Sequence, residues 1–250
     1  MNIFNFLSQN TTESKMSSIT TILLASIIGI FYPLYIVATH KKVNENIKNN
    51  EKYRLVDYKQ TLIIFWGLTI LILVNSYFYT HPTLNFTPKL SFINIILSIA
   101  VIGFAFFQYT TTKVSRDSAT IAKEKLKDIY HYLPKNDKEL QWFLLLSISA
   151  GICEEIIFRL FLFEFLNETT QLLIAFVLTN LIFSLTHIGS GKKNLLSSFI
   201  MGLLFSMTYY FTDNIWIAII LHIAIDINVG ILGCRIQKTL TINNQTSPNR

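Results

Sequence analysis

Seven apolar runs punctuate this chain, at about 17–39, 61–79, 91–112, 140–166, 170–188, 195–211 and 214–234. Each is close to the roughly 20 residues a bilayer-spanning helix needs. In hydrocarbon the backbone must satisfy its own polar groups, so runs of this kind are helices. The expected fold is all-α, a polytopic transmembrane bundle of about seven spans. Composition agrees: 14% of the 250 residues are charged, against about a quarter in a soluble domain. Mean hydropathy is +0.43.

Basic residues fix an expected orientation. Lys41, Lys42, Lys48, Lys52, Arg54 and Lys59 follow the first run. Lys113, Arg116, Lys123, Lys125, Lys127, Lys135 and Lys138 follow the third. Lys192 and Lys193 follow the fifth, and Arg235, Lys238 and Arg250 the seventh. The opposite connections hold only Lys15 and Lys89. The positive-inside rule makes the basic side cytoplasmic, with the N-terminus outside and the C-terminus inside. The formal charge of +6 is then a matter of topology and anionic lipid, and no nucleic-acid partner is expected. Cys153 and Cys234 read as buried free thiols, with neither a disulfide framework nor a zinc knuckle. No twin-arginine segment, lipidation box or cleavable leader is visible, so the first run is expected to be retained in a multi-pass protein of the cell membrane.

Three regions are expected. Residues 1–139 hold three spans and a cytoplasmic amphipathic segment. Residues 140–234 form a four-span core with very short loops. Residues 235–250 read as a disordered tail, since Thr, Asn, Gln, Ser and Pro dominate after Leu240. In the amphipathic segment, from Asp117 to Leu133, Ala122, Leu126, Ile129, Tyr130 and Leu133 share one helical face, while Lys123, Glu124, Lys125, Lys127 and Asp128 cover the other. That suits a helix in the membrane interface; an ordinary solvated loop helix is the plain alternative.

An ionisable residue at mid-bilayer costs about 2.5–3.5 kcal/mol on insertion scales, which makes each one a candidate functional residue. The last four runs contain Glu154, Glu155, Arg159, His187, His222 and Asp226. Glu155 and Arg159 are four apart and can form an ion pair on one helical face. Glu154 points about 100° away on an α-helix and lacks this partner. A carboxylate in an apolar site is a candidate general base. His222 and Asp226 also share a face. Each set alone has a structural reading: a packing cluster, a helix-end histidine, an interhelical hydrogen bond. Together they supply what amide hydrolysis requires, namely an activated water, a proton for the leaving amine and an oxyanion site.

Three motifs stand in order: Glu154-Glu155-x-x-x-Arg159, Phe183-x-x-x-His187 and His222-x-x-x-Asp226. In this the chain resembles the CAAX-processing and bacteriocin-processing intramembrane proteases, which include the type II CAAX prenyl endopeptidase. The resemblance covers roughly residues 140–232 and no part of the first three spans. It implies that Glu154 activates water with His187 as acid–base partner, that His222 and Asp226 stabilise the oxyanion, and that Glu155 and Arg159 hold the site in shape. Prenyl-processing members typically carry Asn where this chain has Asp226. An ionised Asp cannot donate to an oxyanion, so Asp226 would be protonated or would orient and charge His222. That departure points away from prenyl substrates and leaves proteolysis intact.

Zinc on Glu154, Glu155, His187 and His222 is conceivable. There is no His-Glu-x-x-His, and a mechanism without a cofactor is favoured. Gly189-Ser190-Gly191-Lys192 lacks the Ser/Thr of a phosphate loop and reads as a turn. The expected activity is intramembrane endopeptidase action on membrane-associated or secreted peptide precursors, such as pheromones or bacteriocins. The partners are then a peptide substrate and the bilayer. The rival readings are a non-catalytic bacteriocin-immunity or scaffold protein of the same fold, and a proton-coupled transporter, for which visible repeats are lacking.

Overall fold

The computed structural model describes residues 19–78, 82–111 and 114–245. The expected span ends at 17–18, 79 and 112, together with Lys15, Lys113 and Arg250, lie outside the described residues. Among those described there are helices and no strand. α1 is Ile19–Asn49, α2 Tyr53–Phe78 and α3 Phe92–Thr111. A short α4, Arg116–Lys125, precedes α5, Asp137–Glu154. α5 continues into a π-helix, Glu155–Phe163, and then into α6, Glu164–Thr169. α7 is Leu172–Leu185, α8 Lys192–Thr212 and α9 Ile215–Gln245.

Five of these helices, α1, α2, α3, α8 and α9, are long and apolar enough to cross a membrane. α7 is a shorter apolar helix, and the stretch expected at 140–166 is divided by its change of winding. The chain is a multi-pass helical membrane protein. Its outward side chains are those a lipid solvent accepts: Ile63, Ile70, Phe92, Phe106 and Phe107 are all exposed.

Polar ties collect the helix ends into two groups. The starts of α2 and α5 meet through Arg54 and Glu139, at 2.6 Å. The end of α1 meets the turn before α8 where Asn44 donates to the Gly189 carbonyl, and Lys238 of α9 reaches Asp137. This is the basic end. At the opposite end Asn94 of α3 donates to the carbonyls of Lys89 and Thr212, Lys89 pairs with Asp213, and Trp216 donates to the Phe86 carbonyl. α2, α5 and α8 therefore run away from the basic end, and α9 runs toward it.

Helix starts follow local chemistry. Asn136 caps α5 by accepting from the Glu139 N–H at 2.9 Å, and Asp137 and Glu139 sit in the positively polarised first turn. Ser115 and Ser118 form a capping box at α4. Gly191, at φ 90°, makes the turn into α8, as a residue without Cβ can. The widened winding at Ile27–Phe31 lies just ahead of Pro33, which has no N–H to give the ladder.

Two sequence expectations need correction. α4 ends at Lys125, and the chain then proceeds by turns rather than as helix to Leu133. The segment keeps its sidedness: Leu126, Ile129 and Tyr130 are half-buried, Leu133 is buried, and the charged residues are exposed. The expected disordered tail is helical as far as Gln245, because it has partners. Ile236 is buried, Gln237 accepts from the Tyr130 hydroxyl at 2.8 Å, and Lys238 pairs with Asp137. Residues 246–250 lie outside the described residues.

The core surrounds the π-helix, all nine of whose residues are buried. Ile157, Leu160 and Phe163 pack with Ile28, Ile72, Ala175 and Phe183 from the neighbouring helices. α5 and α9 approach closely at Gly151. A Cβ there would sit 3.1 Å from the Ile223 nitrogen and 3.3 Å from the Ile219 oxygen. Small residues permit such backbone proximity between membrane helices. One turn on, the same two helices carry Glu154 and His222.

Candidate active site

The six ionisable residues singled out in the last four runs converge. Glu155 and Arg159 pair at 3.1 Å, fully buried. The same Glu155 oxygen, Oε1, accepts from His222 Nδ1 at 2.7 Å. The other ring nitrogen of His222, Nε2, faces Glu154 at 3.4 Å and Asp226 at 3.6 Å. Adjacent glutamates thus reach opposite edges of one imidazole. The site lies where α-winding gives way to π-winding, a feature frequent at functional sites. Glu154 therefore has a partner on another helix, which residue spacing alone could not reveal.

His187 lies two residues beyond the end of the short α7. Its Nδ1 lies 3.0 Å from the Phe183 carbonyl, and a carbonyl only accepts, so Nδ1 carries the proton. Nε2 of a neutral ring is then an acceptor. Phe183 has a second use, since its ring lies 4.6 Å beneath the Arg159 guanidinium. Phe-x-x-x-His thus supplies a carbonyl for the histidine and a ring for the arginine.

Residues that spacing did not single out complete the setting. Phe205 stacks on His222 with centroids 4.5 Å apart and 14° between planes. The Gly202 carbonyl accepts from Arg159 at 3.0 Å. One phenylalanine among 20 carries no sequence mark, and a backbone acceptor carries none at all. Asn228 donates to Gln108 and to the Ala224 carbonyl, away from the cluster.

Glu154, His187, His222 and Asp226 line a cavity of about 350 Å³. Glu154 and His222 are each 4% exposed, while the Asp226 side chain is 35% exposed. The deep part of the cavity is therefore walled by reactive groups and still open to it. From there the cavity runs past Phe65, Ala150, Met201 and Ile225 toward the basic end, where Asp57, Tyr132, Ser190 and Asn194 line it.

That mouth is braced by a second buried pair. Arg54, besides meeting Glu139, donates through Nε to the His131 carbonyl at 2.8 Å. Glu139 also accepts from the Lys135 N–H at 2.8 Å, and Tyr58 donates to the Tyr132 carbonyl. The His131 ring meets Asn44 at 2.9 Å. Burial, helped by Lys48, Arg54 and Lys135, pushes the His131 imidazole down to about 4. Burial, with Arg54 and Lys123 adding to it, brings the Lys135 amine down to about 7.

No set of three or more His, Cys, Asp or Glu side chains among the described residues converges as ligands of a metal ion. Both His222 nitrogens face carboxylates, and His187 Nδ1 is committed to a carbonyl.

Residues 136–228 match the family model described as "Type II CAAX prenyl endopeptidase Rce1-like". Over 86 residues the chain is 36% identical to the protein named "Putative membrane peptidase YdiL" of Bacillus subtilis (strain 168). That stretch covers 34% of this chain and 34% of YdiL, so the match spans about a third of the relative's length. No solved structure matches. All three motifs, with Glu154, Glu155, Arg159, Phe183, His187, His222 and Asp226, lie inside this match, so the segment that carries the site is the one similar to the type II CAAX prenyl endopeptidase family.

Proposed function

We propose that this protein is an intramembrane endopeptidase in which Glu154 activates water, acting on peptides that enter from the basic, cytoplasmic end. The observation that carries this reading is the approach of Glu154 to His222, 3.4 Å, at the wall of a cavity that His187 and Asp226 also line. The similarity of residues 136–228 to the type II CAAX prenyl endopeptidase family supports it.

Glu154 takes a proton from water as the water oxygen attacks the scissile carbonyl carbon. The carbonyl electrons move onto oxygen and give a tetrahedral oxyanion. His222 faces that charge as a donor. Its Nδ1 proton is held by Glu155, which also carries the counter-charge of Arg159. Asp226 helps keep the second ring proton on Nε2. Collapse of the oxyanion breaks the C–N bond. The nitrogen takes a proton from the carboxyl of Glu154 directly or by way of His187, whose Nε2 is free to accept and pass it. The products are a carboxylic acid and an amine, and Glu154 is regenerated. Preorganised donors in a water-poor site act strongly on such developing charge.

The test is mass spectrometry of small peptides released by cells carrying the wild-type chain or Glu154→Ala at equal expression. A peptide set that appears only with wild type is expected. Identical profiles contradict the reading.

A further inference from the structure

The cavity has one acidic group that this mechanism leaves without work. Asp57, half-buried one turn into α2, lines the mouth. It makes no hydrogen bond or ion pair with any described residue, although Arg54 lies three residues before it. Arg54 is committed to Glu139 and the His131 carbonyl, and Lys59 to the Trp142 ring. Among the described residues the lining contains no Lys or Arg, and its carboxylates are Asp57, Glu154 and Asp226. The same lining holds uncharged polar groups, among them Ser190, Asn194 and Ser197. A half-buried carboxylate without a counter-charge is poorly compensated until a cation reaches it. A free C-terminal carboxylate would meet only like charge at this mouth.

We infer that Asp57 is a specificity-determining residue, the acceptor for a Lys or Arg side chain of the peptide being cut. This rests on the endopeptidase reading. The geometry also sets a register. Phe143, whose ring meets Tyr58 beside Asp57, precedes Glu154 by eleven residues along α5, about 16 Å of helix. An extended peptide advances roughly 3.3 Å per residue. The basic residue therefore lies about five residues from the scissile bond.

The test uses the full chain in lipid nanodiscs, as wild type, Asp57→Asn, Asp57→Lys and Glu154→Gln. Each is incubated with randomised nonapeptides in free and N-acetylated forms, and the cut sites are read by mass spectrometry. Wild type is expected to enrich Lys and Arg about five residues from the cut by at least about tenfold, the scale of a charge-assisted hydrogen bond. The enrichment should persist in the acetylated library, disappear in Asp57→Asn and turn toward Asp and Glu in Asp57→Lys. Cutting without basic enrichment, or with enrichment that survives Asp57→Asn, overturns the inference and leaves the protease. Enrichment confined to free peptides assigns the cation to the N-terminal amine and overturns it as well. Loss of all cutting by both Asp57 variants, in chains that still elute like wild type, assigns Asp57 to general catalysis and also overturns it. Absence of any cutting that Glu154→Gln removes defeats the endopeptidase reading itself.

Discussion

Glu155 and His222, on different helices, are joined at 2.7 Å through the same carboxylate oxygen that meets Arg159 at 3.1 Å. One atom thus couples a buried guanidinium to a buried imidazole. It also directs the other ring nitrogen toward Glu154. Glu155→Gln should leave the Arg159 charge buried without compensation, which typically costs about 3–5 kcal/mol. Thermal unfolding in detergent should show Glu155→Gln and Arg159→Met each strongly destabilised, with the double variant more stable than the worse single. Additive losses would contradict this coupling.

Gly151 sets the distance across which Glu154 and His222 meet. Gly151→Ala places a methyl group against the α9 backbone at Ile219 and Ile223, and overpacking of this kind costs about 1–3 kcal/mol. The expected signature is a fall in kcat larger than the change in stability suggests, because the helices part at the site. The comparison is kcat against unfolding temperature for this variant. Normal kcat at lowered stability would show that the spacing is not critical.

Acid should weaken the mouth of the cavity. The His131 pKa is lowered from 6.5 to about 4 in the folded protein. Between those values the unfolded chain binds a proton that the folded chain does not, so stability falls as pH drops from about 6.5 to about 4 and levels off below. Amide exchange in residues 129–136 should speed up over that window, and His131→Gln should flatten the response. An exchange profile that does not change with the His131 substitution would rule out this origin.

Sequence periodicity read some of the site and could not read the rest. Glu155–Arg159 and His222–Asp226 are intrahelical pairs four apart, and each stands at ion-pair distance, 3.1 and 3.6 Å. The partner of Glu154 lies on another helix, and a change from α- to π-winding leaves no periodic trace. Arg54 counted as one more loop cation, yet it is 3% exposed and paired with Glu139; composition cannot distinguish a solvated arginine from one that folds back into the bundle. Polar composition likewise pointed to disorder after residue 234, where contacts from Ile236, Gln237 and Lys238 keep the helix.

The turnover of Glu154→Gln tests the central claim most directly. Purified chain in nanodiscs, with a peptide it cuts, gives kcat for wild type and variant, and circular dichroism and unfolding temperature verify equal folding. The account predicts a loss of about 10²–10⁴-fold, the usual worth of general acid–base catalysis. A Glu154→Gln chain that turns over within about threefold of wild type would contradict the assignment of Glu154 as the group that activates water.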